Sequence, residues 1–179
     1  MIPSTQTPTR AAIDIKQRGA AGDGLHDDFP VFQQALDSGI SPLFIPAGTY
    51  RIQGCLRLPS RCHIQADANA RIVFGPGAGK NQHSFLISNA DLENGNEDIE
   101  IGGGIWDGNN LHQTRGTDAK PGGYTGVLAH FAHCRNLHLH DMTLVNPHSY
   151  HIRMGWTEGW AEARMAIRAA HRPKNRREV

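Results

Sequence analysis

Cys62-His63-Ile64-Gln65-Ala66, Asp98-Ile99-Glu100-Ile101-Gly102 and Asn136-Leu137-His138-Leu139-His140 can be laid over one another. Each is followed a few residues later by a second apolar run: Ile72-Val73-Phe74, Ile105-Trp106 and Met142-Thr143-Leu144. A unit of several short strands recurring roughly every 35 residues is the mark of a solenoid, in which a coil buries its apolar side only by stacking on the next. Successive side chains of a strand point to opposite faces, so Leu137 and Leu139 are expected inside, and His138 and His140 outside. Ile64, Ile99 and Leu137 are expected to stand in one interior column.

The strand pattern extends from Pro42 to about residue 155, with further short runs at Leu43-Phe44-Ile45, Thr49-Tyr50-Arg51-Ile52, Leu56-Arg57-Leu58, Phe85-Leu86-Ile87, Gly126-Val127-Leu128 and His151-Ile152-Arg153-Met154. Residues 109–123 read as a loop thrown out from one coil. Before the strands, Gly19 to Gly24 reads as a glycine-rich turn. Asp28 is placed to cap a helix whose residues Val31, Phe32, Ala35 and Leu36 recur at helical spacing, with Pro30 in its first turn and Gly39 ending it. The first coil of a parallel solenoid has unpaired backbone and an open apolar interior, and this helix is the natural lid.

The organisation expected is therefore a flexible lead-in over 1–11, β-helix coils over 12–155 and a basic tail over 156–179. In the tail, Trp156, Trp160, Ala163, Ile167 and Ala170 fall on one helical face, beside Arg164, Arg168 and Arg172, so a helical or disordered tail is expected, the helix being favoured by this spacing. An all-β solenoid suits the composition too: 20 glycines and 10 prolines in 179 residues describe many turns rather than long helices.

A net charge of +1 gives no reason to expect nucleic acid or an acidic membrane as the main partner, and no segment approaches a membrane span. No apolar run at the N-terminus reads as a signal peptide, so the chain as written is expected to be cytoplasmic. The three cysteines, Cys55, Cys62 and Cys134, lack the paired spacing of a zinc site or a disulfide framework and are expected to be buried thiols.

Several segments in order resemble the pectin-lyase-like superfamily, and within it glycoside hydrolase family 28. They are Gly19-Ala20-Ala21-Gly22-Asp23-Gly24 with Asp27-Asp28, Ile45-Pro46-Ala47-Gly48-Thr49-Tyr50, Gly102-Gly103-Gly104-Ile105-Trp106-Asp107-Gly108, and Asn146-Pro147 with Tyr150-His151-Ile152. The resemblance implies a right-handed parallel β-helix and inverting hydrolysis of galacturonan-type bonds. That chemistry needs an acid and a base carboxylate about 6.5–9.5 Å apart. Family members carry these on Asn-x-Asp and Asp-Asp motifs beyond the segment matched by Tyr150-His151-Ile152, and no aspartate follows Asp141 here. No catalytic residue is assigned, and the chain is expected to be a truncated or frame-shifted version of a longer hydrolase. The alternative is a non-catalytic carbohydrate-binding β-helix module.

The expected partner is a polysaccharide or oligogalacturonide, with self-association through an open C-terminal coil. Asp107, at a strand corner, is a candidate for touching a sugar. His151 and Arg153 are candidates for holding a uronate carboxylate, Arg153 by its bidentate geometry. Gly102 to Gly108 is read as a tight corner rather than a phosphate loop, since no helix follows it. Gly22-Asp23-Gly24 with Asp27 and Asp28 is read as a turn and helix cap rather than a calcium loop. His138 and His140 share a strand face and would bind a metal with a third ligand from an adjacent coil. Solvated histidines explain them equally well, so neither a metal nor any other cofactor is assigned.

Overall fold

The computed structural model describes residues 11–81, 83–114, 126–155 and, as backbone, 161–167. The chain opens with β1 (Ile13–Asp14) and β2 (Asp23–Asp27), followed by helix α1 (Phe29–Asp37). The next coil holds β3 (Leu43–Ile45), β4 (Gly48–Ile52) and β5 (Leu56–Leu58). Then come β6 (Cys62–Ala66), β7 (Ala70–Phe74) and β8 (Ile87–Asn89), and after them β9 (Glu97–Gly102), β10 (Ile105–Asp107) and β11 (Ala129–Ala132). The last described coils contain β12 (Arg135–Val145), β13 (Ile152–Gly155) and β14 (Ala161–Ile167).

Every pairing among these strands is parallel and joins one coil to the next. The result is a right-handed parallel β-helix with three faces. The first face is β1-β3-β6-β9-β12, the second β2-β4-β7-β10-β12, and the third β5-β8-β11-β13. The long strand β12 bends through the corner at Asp141 and belongs to both the first and the second face.

The interior is built of apolar columns. Leu43, Ile64, Ile101 and Leu139 stack on the first face, and Tyr50, Ile72, Trp106 and Leu144 on the second. All eight are buried. Burying a side chain of this kind contributes about 1.5–3 kcal/mol, so stacking supplies the main driving force of the fold. Leu137 and Leu139 are buried as alternation requires.

The column expected for Ile64 is offset, however. Its partners are Ile101 and Leu139, while Ile99 and Leu137 stand against Cys62. The small thiol of Cys62 is an interior residue, and the residues just before it and its counterparts share one left-handed backbone conformation: Arg61 (φ 60°), Asp98 (φ 57°) and Asn136 (φ 55°). That bend, rather than the first letter of the superposed segments, marks where each rung begins.

The Gly102–Gly108 stretch is a corner, as expected. Gly103 has φ +76°, and a Cβ there would lie 2.1 Å from the Ala66 carbonyl of the coil below, so only glycine fits. The buried indole N–H of Trp106 donates to the Gly103 carbonyl at 3.1 Å.

Helix α1 packs Phe32, Ala35 and Leu36 into the same core, the Phe32 ring edge-on to Tyr50 at 5.4 Å. The lid is as expected, but its cap is not. Asp28 has helical φ and ψ, makes no cap hydrogen bond and is only 2% exposed. Its carboxylate instead accepts the amides of Ala21 (2.6 Å) and Gly22 (3.1 Å), folding the glycine-rich turn onto the helix. Asp27 serves the helix end, accepting from the Phe29 amide at 3.0 Å and from the Gln53 amide at 3.1 Å. The turn is also shorter than expected, because Asp23 already begins β2.

The helical tail needs correction over Ala161–Ile167, which is a strand paired in parallel with β12. Ala161, Ala163, Met165 and Ile167 alternate in sequence, so the segment satisfies both periods, and the free edge of β12 selects the extended form. The lead-in over 1–10, the loop over 115–125, and the remaining tail at 156–160 and 168–179 lie outside the described residues.

The cysteines are free; Cys62 and Cys134 are buried and Cys55 is half-buried, and burial pushes the Cys62 thiol up to about 12. No helix among the described residues is long and apolar enough to cross a membrane.

Candidate functional site

On the third face, Ile152 of β13 pairs with Ala129 and packs against the core, which leaves the neighbouring Arg153 outside. Successive coils place Arg57, Ser88, His130 and Arg153 in one row. Beside the end of this row lies a groove of about 480 Å³ lined by Phe85, Val127, Ser149, Tyr150, Arg153 and Met154, with backbone from Gly126. Tyr150 is 70% exposed, and among the described residues none that lines the groove is acidic.

His130 sits behind this groove with its ring edge-on to Phe85 at 4.7 Å. Burial first, then the Arg153 and His83 charges, push its pKa down, so it is held neutral. Among the described residues that line it, the groove thus carries its positive charge on Arg153 alone, beside an exposed aromatic ring.

The three residues singled out from the sequence do not converge. Arg153 lines the groove. His151, next to it in the chain, does not; its Nε2 is shielded from solvent without a hydrogen-bond partner among the described residues, and burial lowers its pKa. Asp107 stands on the second face, 4% exposed. Its Oδ2 accepts from Arg71 at 2.5 Å, and its Oδ1 from the Asn109 amide at 2.8 Å and the Asn146 side chain at 2.9 Å. This carboxylate is a staple between three coils.

Phe85 and Tyr150 were read from the sequence only as strand and motif residues. The signal for Tyr150 was its place just before a strand whose next residues alternate. For Phe85, only the coil-to-coil stacking brings it to the groove.

The first face carries a second cluster. His138 and His140 stack at 4.6 Å on β12, and the adjacent β9 brings Glu100 to them. His140 contacts Glu100 Oε1 through Nε2 at 3.2 Å and Asp141 Oδ2 through Nδ1 at 2.9 Å. The Asp141 bond first, and Glu100 further, raise its pKa against a smaller opposing effect of burial. Glu100 escapes the sequence reading because its pairing with the histidines depends on the register between coils, whereas Asp141 is the chain neighbour of His140 and meets it through the bend at that corner.

Three parallel faces, an N-terminal lid and a groove on an outer face define a β-helix protein of the pectin-lyase-like kind. The sequence matches the family described as rhamnogalacturonase A/epimerase, pectate lyase-like, over residues 12–153, and the chain belongs to it. It is 31% identical over 136 residues to the preneck appendage protein of Bacillus phage PZA, covering 75% of this chain and 16% of that one. It is 34% identical over 122 residues to plasmin and fibronectin-binding protein A of Streptococcus pneumoniae, covering 61% and 17% of the two chains. The crystal structure of the pre-mature bacteriophage phi29 gene product 12 is similar with a TM-score of 0.69 and 28% identity, over 80% of this chain and 19% of that one. The chain therefore spans about a sixth of the length of these relatives.

Proposed function

We propose that the chain supplies the first coils of a saccharide-binding β-helix, in which the groove beside Arg153 holds an acidic sugar unit. The observation that carries this reading is the composition of the groove among the described residues: one outward guanidinium, an exposed tyrosine, further apolar walls and no lining carboxylate. A guanidinium pairs a uronate carboxylate through two parallel N–H bonds, and aromatic and apolar walls suit the C–H faces of a sugar ring. General acid and base catalysis would need two carboxylates around the bond, and the most buried aspartate near a strand corner, Asp107, is already filled by protein donors.

Calorimetric titration with a galacturonate oligomer and with its carboxyl-reduced counterpart tests the reading. The acidic oligomer is expected to bind at least about ten-fold more tightly, and Arg153→Ala to remove that preference, a change of about 1.5–3 kcal/mol for a charge-assisted contact. Equal binding of both oligomers, or an unchanged preference in Arg153→Ala, defeats it.

The hydrolytic reading, family 28 action on pectin-type polymers, draws its support from the family match. Release of reducing ends from pectate by the purified chain would favour it over simple binding.

A further inference from the structure

We propose that Glu100, His138 and His140 form a binding site for a divalent transition-metal ion of the zinc class, held on the outside of the first face. The inference is independent of the saccharide groove, which lies on another face. Two imidazoles and one carboxylate are the donor set that suits zinc, copper or nickel better than calcium or magnesium, which prefer oxygen alone.

The geometry is close to what such an ion requires. Ligand atoms of the three side chains all lie within 4.8 Å of one another. Glu100 Oε1 and His140 Nε2 are 3.2 Å apart. Two donors each about 2.0–2.1 Å from a tetrahedral zinc ion are separated by roughly 3.3 Å, so this edge of the site is already set.

The surroundings orient the ligands. His140 Nδ1 is 2.9 Å from Asp141 Oδ2, which holds the ring proton on that nitrogen and turns Nε2 toward Glu100. A carboxylate behind a ligating histidine is the usual device for fixing its tautomer. His138 and His140 are two residues apart on β12, with rings 4.6 Å apart, and Glu100 is the register partner of His138 on β9. The ligands thus hang on two hydrogen-bonded strands rather than on loops, which limits the reorganisation that binding requires.

The ion would tie consecutive coils together. Three protein ligands leave a position free for water or an anion, and Glu100 and His138 border a cleft that also holds Arg61, His63, Asp98 and Asn136.

The test is calorimetric titration of the chelator-stripped, full-length chain with zinc at neutral pH, followed by visible absorption of the cobalt(II) form. One strong equivalent is expected. His138→Ala and His140→Ala should abolish it, Glu100→Gln should weaken it, and Asp141→Asn should weaken it by about 10–100-fold. His130→Ala and His151→Ala should titrate like the parent, because they lie on the other face. Circular dichroism matching the parent identifies each loss as loss of a ligand rather than of the fold. A strong equivalent that survives in the His138→Ala/His140→Ala double variant, or a parent chain that binds zinc no better than that variant, overturns the proposal.

Discussion

The first and third faces of this β-helix are built on the same ladder, yet they hold their polar groups in opposite ways. On the first face, carboxylates meet bases in the open: Glu97 lies between Arg61 at 3.5 Å and Arg135, and His140 lies between Glu100 and Asp141. On the third face Arg57 and Arg153 stand outside without a carboxylate in their row, and a polar side chain is enclosed beneath them. Asn89 is fully buried, and its amide donates to the carbonyls of Asp91 (2.6 Å) and Ala132 (3.0 Å) while its Oδ1 accepts the Ala132 amide at 2.9 Å. Three histidines follow the same division: His140, beside Asp141 and Glu100, is pushed toward the charged form, and His130 and His151, under cover on the third face, toward the neutral one. What a residue does in a solenoid is therefore decided by the coil above and below it more than by its sequence neighbours.

The largest effect should come from the third face. Asn89→Ala takes from the buried Ala132 both the acceptor of its amide and the side-chain amide that donates to its carbonyl, and is expected to cost about 2–4 kcal/mol in denaturant unfolding. A loss below about 1 kcal/mol would mean that the amide is not the brace it is taken for.

Asp107→Ala on the second face should come next, at about 2–3 kcal/mol by the same measurement. The cost is moderated because Arg71, 43% exposed at its side chain, can turn to water once its partner is gone.

Smaller, and sharper as a contrast, are the pH effects. The folded pKa of His140 is raised, so its contribution to stability is complete below the ordinary value of 6.5 and is lost as pH rises through the folded value. The folded pKa values of His130 and His151 are lowered, so the unfolded chain protonates them first, and they erode stability as pH falls through 6.5. Removing His140 in a chelating buffer should therefore cost more at about pH 5.5 than at about pH 8.5, whereas replacing His130 should relieve acid sensitivity over the same range. Parallel slopes for the two variants would break the contrast between the faces.

The smallest effect belongs to Arg135→Ala, about 0–1 kcal/mol, because its pair with Glu97 is exposed and screened by salt. Midpoints compared at low and high salt check it.

Much of this architecture was readable beforehand because alternation and repeat are local signals. The solenoid, the lid over Phe32 and Leu36, and the inward Leu137 and Leu139 all follow from spacing alone. What escaped were matters settled by contact across coils. The rung offset comes from superposing the three segments by their first letters, which sets Cys62 against Asp98 and Asn136, whereas the ladder pairs it with Ile99 and so with Leu137. Asp28 was read as a cap because it precedes Phe29, yet the glycine-rich turn folds back onto its carboxylate. The Ala161–Ile167 segment suits either period, and only the open edge of β12 chooses between them. Of the candidate site residues, Arg153 was found by parity, whereas Glu100 becomes visible beside His138 and His140 only once the ladder is correctly aligned.

The bend shared by Arg61, Asp98 and Asn136 has a consequence for how such molecules can change. A left-handed torsion costs most residues about 1–2 kcal/mol and glycine far less, so in Arg61→Gly the relief of that strain is set against the greater freedom of glycine in the unfolded chain. The same torsion opens three successive rungs of the first face on three different side chains, so the rungs are aligned by the backbone and not by residue type. Modularity in this scaffold resides in a backbone angle.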